Sequence, residues 1–249
     1  MFSLIFPGQG SQTVGMCKEL YNKFELIKNT FKNADEILDF PLTKIIFEGP
    51  KQELDFTENT QPAIFLVGYS IFTLLKKEFD FDDSKVTFFA GHSLGEYTAL
   101  SSAGFLNFDD TLRILRIRGK AMQSAVPKGE GGMIAVLGSK IELIDKLLNE
   151  NTNNYKCFIA NDNSEGQLVL SGKNKDLEKF SLDLKKNSIK NIKLPVSAPF
   201  HCNLMKKATE IMKIEIEKLN FVSSKKKLVS NVTGKSINQT DEIKNLLIK

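Results

Sequence analysis

The stretch 86–95 constrains the fold of this chain more than any other. The run 86–90 is typical of a buried strand, and it is followed directly by Gly91-His92-Ser93-Leu94-Gly95 and a helical pattern to about Ala103. The pattern G-x-S-x-G between a strand and a helix predicts a sharp turn that exposes the serine hydroxyl. The two glycines remove side chains that would collide where strand and helix fold back on each other. The alternative interpretation is a glycine-rich turn with an idle serine.

Strands and helices alternate on both sides of this turn. Phe2–Phe6 and Leu228–Val232 have the pattern of strands, and Thr60 is the predicted cap of a helix that carries Pro62 in its first turn. Between residues 127 and 195 the order changes to β-α-β-β-α-β, which is typical of a ferredoxin-like unit. We therefore predict an α/β body over 1–127 and 197–249, with a small domain inserted at 128–196.

Composition and charge exclude several classes of protein. The longest apolar stretch, 63–75, contains polar residues and is shorter than the about 20 residues that span a bilayer. We expect no signal peptide, because the residues before the Pro7-Gly8 turn contain no basic region or cleavage site. The net charge of +4 is scattered, which argues against a nucleic-acid partner. Three widely spaced cysteines offer no metal site and favour a reducing compartment, so we expect a cytoplasmic protein without a membrane partner.

A nucleophilic serine needs a base, and the sequence contains only two histidines. His92 is fixed beside Ser93 in the turn and is a poor base for its own neighbour. His201 follows Ala198-Pro199-Phe200 in a loop after the inserted unit, and such loops often line clefts. We predict Ser93 as the nucleophile and His201 as its base. The alternative for His201 is an ordinary surface histidine.

All three arginines lie within six positions of one helical pattern. Arg113 has Asp109 and Asp110 one turn earlier, and Arg116 is expected to be solvent-exposed. Arg118 has apolar helical neighbours, so its charge must find an anion elsewhere. That anion is either a carboxylate of another element or a carboxylate on the substrate, and helix geometry does not distinguish the two.

The loop Gly8-Gln9-Gly10-Ser11-Gln12 follows the first strand, where an α/β sheet places its ligand cleft. Glycines on both sides of Gln9 let the backbone approach a reacting atom. The Gln9 N–H is therefore a candidate donor to an oxyanion. The alternative is a simple turn.

Four motifs resemble those of the malonyl-CoA:acyl carrier protein transacylases of fatty acid synthesis, in the same order and over essentially the whole chain. They are Phe6-Pro7-Gly8-Gln9-Gly10-Ser11-Gln12, Gly91-His92-Ser93-Leu94-Gly95-Glu96, Arg118-Gly119-Lys120-Ala121-Met122 and Ser197-Ala198-Pro199-Phe200-His201. The resemblance implies an α/β-hydrolase-like parallel-sheet body with an inserted ferredoxin-like domain. This expectation agrees with the α/β organisation predicted above.

The resemblance also implies a role for each matching residue. Ser93 matches the acylated nucleophile and His201 its base. The backbone N–H groups of Gln9 and Leu94 match the donors of the oxyanion hole.

The substrate-binding residues are implied in the same way. Arg118 matches the residue that pairs with the free carboxylate of malonyl. Phe200 resembles the malonyl-type pattern rather than the methylmalonyl type. Asn161 lies in a stretch that resembles a cleft-facing segment of the insert, and with His92 it completes the expected set.

The reaction implied is transfer of malonyl from malonyl-CoA to the phosphopantetheine thiol of acyl carrier protein, through a malonyl-serine intermediate. No metal or other cofactor is expected, since the phosphopantetheine belongs to the carrier protein. Two alternatives stay open. A serine hydrolase or thioesterase would share Ser93 and His201 without needing Arg118, and a non-catalytic chain would only bind the carrier protein.

Members of this family continue beyond the position of Lys249. The additional segment carries a glutamine whose main-chain carbonyl orients the histidine, and a final strand. The sequence is therefore expected to be a fragment with little activity.

Overall fold

The computed structural model describes residues 2–127, 129–151, 154–196 and 198–248. Two compact units make up the chain: Met1–Lys120 with Met212–Lys249, and Ala121–Ile211. The predicted boundaries of the inserted domain fall at residues 128 and 197, which lie outside the described residues, and 128–196 stays a prediction.

The first unit combines a sheet with most of the helices. Its elements in chain order are β1 (Phe2–Phe6), α1 (Lys18–Lys23), α2 (Glu25–Leu38), α3 (Leu42–Glu48), α4 (Lys51–Leu54), α5 (Thr57–Glu78), β2 (Val86–Gly91), α6 (Leu94–Ser102), α7 (Phe108–Ser124), β7 (Leu228–Val229), β8 (Ser236–Ile237) and α11 (Thr240–Leu247). The strand order is β1-β2-β7-β8. Strands β1 and β7 both pair with β2 in parallel, and β8 is antiparallel to β7. The predicted parallel-sheet body is confirmed.

Apolar spacing explains how this unit packs. Helix α2 buries Ile27, Phe31 and Ala34, which lie on one face at helical spacing, against α5 and α7. Phe89 of β2 and Leu100 of α6 are fully buried in a second apolar cluster that joins the sheet to α6. The nucleophile turn is thus anchored by apolar packing on both its strand side and its helix side.

Strand β7 is shorter than the predicted Leu228–Val232. The Ser230 N–H donates to the Lys235 carbonyl at 3.0 Å, and the Gly234 N–H donates to the Ser230 carbonyl at 2.9 Å. These bonds close a tight turn that leads into β8. Residues 231–234 therefore leave the sheet at the end of β7.

Helix α5 begins at Thr57, three residues before the predicted cap, so that prediction is wrong. The residue before this helix is Phe56, whose side chain makes no hydrogen bond to the helix end. Thr60 lies inside the helix, and its hydroxyl donates to the Leu54 carbonyl at 2.6 Å. A contact with the preceding helix has thus replaced the local cap.

Pro62 lies inside α5 and gives Arg116 an unexpected partner. Because proline has no N–H, the carbonyl of Glu58 lacks its usual intrahelical donor. The Arg116 guanidinium donates to this carbonyl at 3.0 Å, and its carbon lies 3.9 Å from the centroid of the Phe40 ring. Arg116 is half-buried, so the expected exposure is wrong.

The second unit contains an antiparallel sheet with strand order β4-β5-β3-β6. Its elements are β3 (Gly131–Leu137), α8 (Ile141–Glu150), β4 (Cys157–Ser164), β5 (Gln167–Lys173), α9 (Asn174–Lys186) and β6 (Lys190–Lys193), followed by α10 (Lys206–Glu217), which ends in the first unit. The order β-α-β-β-α-β is the one predicted for this stretch. Leu168 and Leu170 pack against α8 and α9 on one face of this sheet. Val169 points to the opposite face, where it belongs to the apolar cluster that contains Phe200.

Among the described residues, no helix has the length and apolar character needed to cross a bilayer.

Three backbone segments meet at glycines around the serine turn. A Cβ atom on Gly91 would lie 1.9 Å from the Gly95 carbonyl carbon, and one on Gly95 would lie 2.4 Å from the Phe6 carbonyl oxygen. A Cβ atom on Gly8 would lie 2.6 Å from the His92 carbonyl oxygen. The predicted collision of side chains at Gly91 and Gly95 is confirmed.

Gly95→Ala is expected to destabilise the protein, although alanine normally stabilises a helix. The added methyl group meets backbone that cannot move without displacing β1, at a cost of about 3 kcal/mol or more. The control is Gly104→Ala, where φ is +83° but nothing lies within 4 Å of the new Cβ. Backbone strain alone is expected to cost about 1 kcal/mol at this position. The free energies of unfolding in urea give the comparison. Equal losses in the two variants would contradict the proposed collision.

Candidate active site

Ser93 lies on the turn between β2 and α6 with φ of +53° and ψ of −111°. A backbone of this kind costs about 1–3 kcal/mol at a non-glycine residue and is typical of functional sites. The strained turn that the sequence pattern predicts is therefore confirmed. The preceding residue ties the turn to β1, since the His92 N–H donates to the Phe6 carbonyl at 3.0 Å.

Two backbone N–H groups of this turn, those of Ser93 and Leu94, bear on its chemistry. The Ser93 N–H donates to Asn231 Oδ1 at 2.7 Å, so it is engaged by protein. Leu94 is the first residue of α6, where the N–H groups of a helix end favour negative charge. Its role as an oxyanion donor stays a prediction.

The loop of Gln9 is held by side chains as well as by backbone. The amide of Gln12 accepts from the Gly10 N–H and donates to Asp55 Oδ1, both at 2.8 Å. The Gln9 side chain donates to Thr57 Oγ1 at 3.4 Å. Gly8 brings this loop onto the backbone of the serine turn, as described above. The Gln9 N–H thus belongs to a fixed loop beside the turn, and its role as donor stays a prediction.

Arg118 reaches the serine directly. Its Nη2 donates to Ser93 Oγ at 3.2 Å, and its Nη1 donates to Gln61 Oε1 at 2.9 Å. The guanidinium carbon lies 5.7 Å from the centroid of the Tyr97 ring. The approach of α7 to α5 depends on Gly119, where a Cβ atom would lie 2.5 Å from the Glu58 Cα.

The electrostatics around Arg118 are unusual for a guanidinium. Its hydrogen bonds to Gln61 and Ser93 both end on neutral oxygens. Burial lowers the pKa of Arg118, while the neighbouring Tyr97 and Glu96 raise it. Burial also raises the pKa of Glu96 to about 7, against the opposing effects of the Asn231 N–H and Arg118. Since Glu96 is only partly ionised at neutral pH, this arrangement can accept the carboxylate of a ligand.

His201 lies in the second unit, is exposed and has φ of +55°. Its loop is fixed by three contacts. Gly131 packs so closely on Pro199 that a Cβ atom would lie 2.3 Å from its Cδ. The Ser171 hydroxyl donates to the Phe200 carbonyl, and the Cys202 thiol donates to the Pro199 carbonyl at 3.1 Å. Ser197, the first residue of this motif, lies outside the described residues.

The remaining predicted substrate contacts have different environments. The Phe200 side chain is buried in an apolar cluster of the second unit. Asn161 lies on strand β4, opposite Val169 and next to a register shift. His92 is exposed, and its Nδ1 would lie 2.6 Å from a Cβ atom on Gly8. Their contacts with a substrate stay predictions.

The first unit therefore brings Ser93 and Arg118 together, beside the Gln9 loop. The pairing of Ser93 with His201 stays a prediction.

Sequence reasoning missed Asn231, Glu96 and Gln61. The position of Asn231 near the end of a predicted strand, at the ligand edge of the sheet, was a usable signal, but no pattern pointed to Gln61.

No group of three or more His, Cys, Asp or Glu side chains in the described part of the chain is placed to hold a metal ion. The cysteines at 17, 157 and 202, all described, are free thiols.

Known proteins share this sequence along its length. The acyl transferase domain family matches residues 3–244. Malonyl CoA-acyl carrier protein transacylase of Bacillus subtilis (strain 168) is 41% identical over 251 residues, which cover 99% of this chain and 77% of that protein. The protein of the same name from Haemophilus influenzae is 36% identical over 249 residues, which cover 100% of this chain and 79% of that protein. This chain belongs to the malonyl CoA-acyl carrier protein transacylase family.

Solved structures of family members agree with this assignment. An acyl-carrier-protein-S-malonyltransferase from Bartonella henselae superimposes with a TM-score of 0.95 at 39% identity, covering all of this chain and 80% of that one. A malonyl-transacylase in complex with its type II PKS acyl-carrier protein gives a TM-score of 0.93 at 34% identity, covering 99% of this chain and 79% of that one. The family and the α/β fold class predicted from the sequence motifs are confirmed.

Glu96→Gln is expected to remove a pH dependence of stability. The pKa of Glu96 is about 7 in the folded protein, whereas the pKa of a glutamate in an unfolded chain is about 4.3. Folding takes up a proton between these values, so the free energy of unfolding falls as pH rises through this window, by at most about 1.4 kcal/mol per pH unit. Glutamine has no proton to lose, so the variant gains stability relative to the parent as pH rises.

Urea unfolding at several pH values within this window measures the effect. Glu78→Gln, at an exposed residue of α5, is the matched control and should follow the parent. Parallel curves for Glu96→Gln and the parent would show that Glu96 does not take up the proton.

Proposed function

We propose that this sequence, in a protein as long as its relatives, transfers malonyl from malonyl-CoA to the phosphopantetheine thiol of acyl carrier protein, through a malonyl ester of Ser93. The observation that carries the proposal is the Arg118 guanidinium, 3.2 Å from Ser93 Oγ and bonded to neutral acceptors. The names of the relatives, which specify malonyl CoA and acyl carrier protein, support the same substrates.

The chemistry of malonyl matches this short separation. Its free carboxylate is joined to the reacting carbonyl through a single methylene group. A guanidinium beside the nucleophile can therefore hold the carboxylate through two parallel N–H···O bonds while the hydroxyl faces the thioester carbonyl. An acyl group without a carboxylate would leave the guanidinium without an anion.

The first half-reaction forms the ester. His201 accepts the Ser93 proton as Oγ attacks the thioester carbonyl, and the N–H groups of Gln9 and Leu94 stabilise the oxyanion. The C–S bond then breaks, and coenzyme A leaves as a thiol with the proton from His201. In the proposed division of the chain, the inserted domain at 128–196 ends just before the loop of this histidine.

The second half-reaction reverses these steps with a new thiol. The phosphopantetheine thiol gives its proton to His201 and attacks the ester carbonyl, and Ser93 leaves with that proton. The proposed route uses groups of the chain alone, without a metal or redox cofactor. We place it in the cytoplasm, because the three free cysteine thiols suit a reducing compartment.

Incubation of a protein extended past Lys249 with malonyl-CoA is expected to add one malonyl mass to the peptide that carries Ser93. Ser93→Ala should abolish the label, whereas Ser236→Ala, at an exposed serine of β8, should leave it unchanged. Peptide mass spectrometry locates the label. Label on another residue would contradict the mechanism, and rapid release of free malonate without carrier protein would indicate a hydrolase.

Arg118→Ala is expected to reduce kcat/KM for malonyl-CoA by about 100-fold or more, because each charge-assisted bond contributes about 1.5–3 kcal/mol. Acetyl transfer should change little, since acetyl has no carboxylate to hold. Arg118→Lys should restore only part of the malonyl rate, because its ammonium cannot form both parallel bonds.

Arg113→Ala is the control on the same helix, since this exposed arginine donates to the Ile37 carbonyl instead. It should leave both rates near those of the parent. Equal losses of malonyl and acetyl transfer in Arg118→Ala would mean that Arg118 is structural.

A further inference from the structure

We propose that Asn231 is a positioning residue that holds the Ser93 turn in its strained conformation. The inference rests on the proposed role of Ser93 as nucleophile. The side-chain amide of Asn231 bonds to both sides of the turn: Oδ1 accepts from the Ser93 N–H, and Nδ2 donates to the Gly91 carbonyl, each at 2.7 Å.

An amide is the side-chain group that suits this pair of contacts. The turn presents a carbonyl and an N–H group on either side of His92, and a planar amide offers one donor and one acceptor in a fixed geometry. A carboxylate would accept from Ser93 but would repel the Gly91 carbonyl. A hydroxyl is too short to bridge both groups.

The position of Asn231 in the sheet explains how it reaches the turn. Strand β7 pairs with β2 in parallel, with Leu228 opposite Phe89, so the two strands end at the same edge. Asn231 follows two residues after β7, in the tight turn described above. Its own N–H donates to Glu96 Oε1 at 3.4 Å, which ties this segment to α6.

The two hydrogen bonds of Asn231 also determine which N–H group of the turn can donate to the substrate. Because Asn231 holds the Ser93 N–H, that group is turned toward β7. The N–H of Leu94 is then the donor of the turn that serves the proposed oxyanion hole. Loss of these two hydrogen bonds would let the turn relax toward ordinary φ values, which would move both the Ser93 hydroxyl and the Leu94 N–H.

Asn231 is an exposed residue, and its side chain is absent from the apolar clusters of the unit. Truncation at this position leaves no cavity. Asn231→Ala should therefore fold with little change in stability, which separates a positioning role from a structural one.

The first test compares amide hydrogen exchange at Ser93, resolved by fragmentation mass spectrometry, with the rate of labelling by a fluorophosphonate probe. This probe forms a bond between serine Oγ and phosphorus and expels fluoride. Asn231→Ala should speed exchange at Ser93 and slow labelling, each by about tenfold or more, since two hydrogen bonds are lost. Asn238→Ala, at an exposed asparagine in the same segment, is the matched control and should match the parent.

Asn231→Asp gives a readout that a structural role would not change. When its carboxyl is protonated, it offers the same donor and acceptor as the amide, so labelling relative to the parent should recover as pH falls. Exchange and labelling within twofold of the parent in Asn231→Ala, or a flat pH ratio for Asn231→Asp, would overturn the proposal. Neither readout involves malonyl, so failure of the proposed transfer would be seen separately.

Discussion

The close approach of three backbone segments at Gly91 and Gly95 is the constraint on which the site depends. Carbonyl groups of β1 and α6 occupy the space that side chains at these two positions would need. This contact lets β2 turn directly into α6 beside the loop that follows β1. The serine hydroxyl, the start of a helix and the Gln9 loop are thereby brought to one edge of the sheet.

A similar contact brings the charge of Arg118 to the serine. Gly119 lets α7 lie against the first turn of α5, and Gln61 of that helix then orients the Arg118 guanidinium. The desolvated Glu96 nearby is only partly ionised at neutral pH, so it neutralises this guanidinium incompletely. The unit keeps a positive charge beside a nucleophile, which suits the acidic acyl group that we propose as substrate.

The strain at Ser93 is stable because other contacts compensate for it. A bond from His92 to β1 and the two bonds of Asn231 oppose relaxation of the turn. Apolar packing of β2 and α6 holds the ends of the turn in place. Local backbone strain of this size persists only where surrounding structure determines it, and here the compensation comes from three separate sets of contacts.

The sequence by itself determined the features that depend on local spacing. The strand–turn–helix around Ser93, the β-α-β-β-α-β order and the family resemblance follow from apolar periodicity, glycine positions and short motifs, which act within a few residues. Tertiary structure alone decided the contacts between distant segments. Thr60 bonds to Leu54 rather than capping a helix, and Arg116 leaves solvent for a carbonyl that Pro62 frees. Asn231 meets the serine turn 138 positions away, because parallel strands end at the same edge of a sheet.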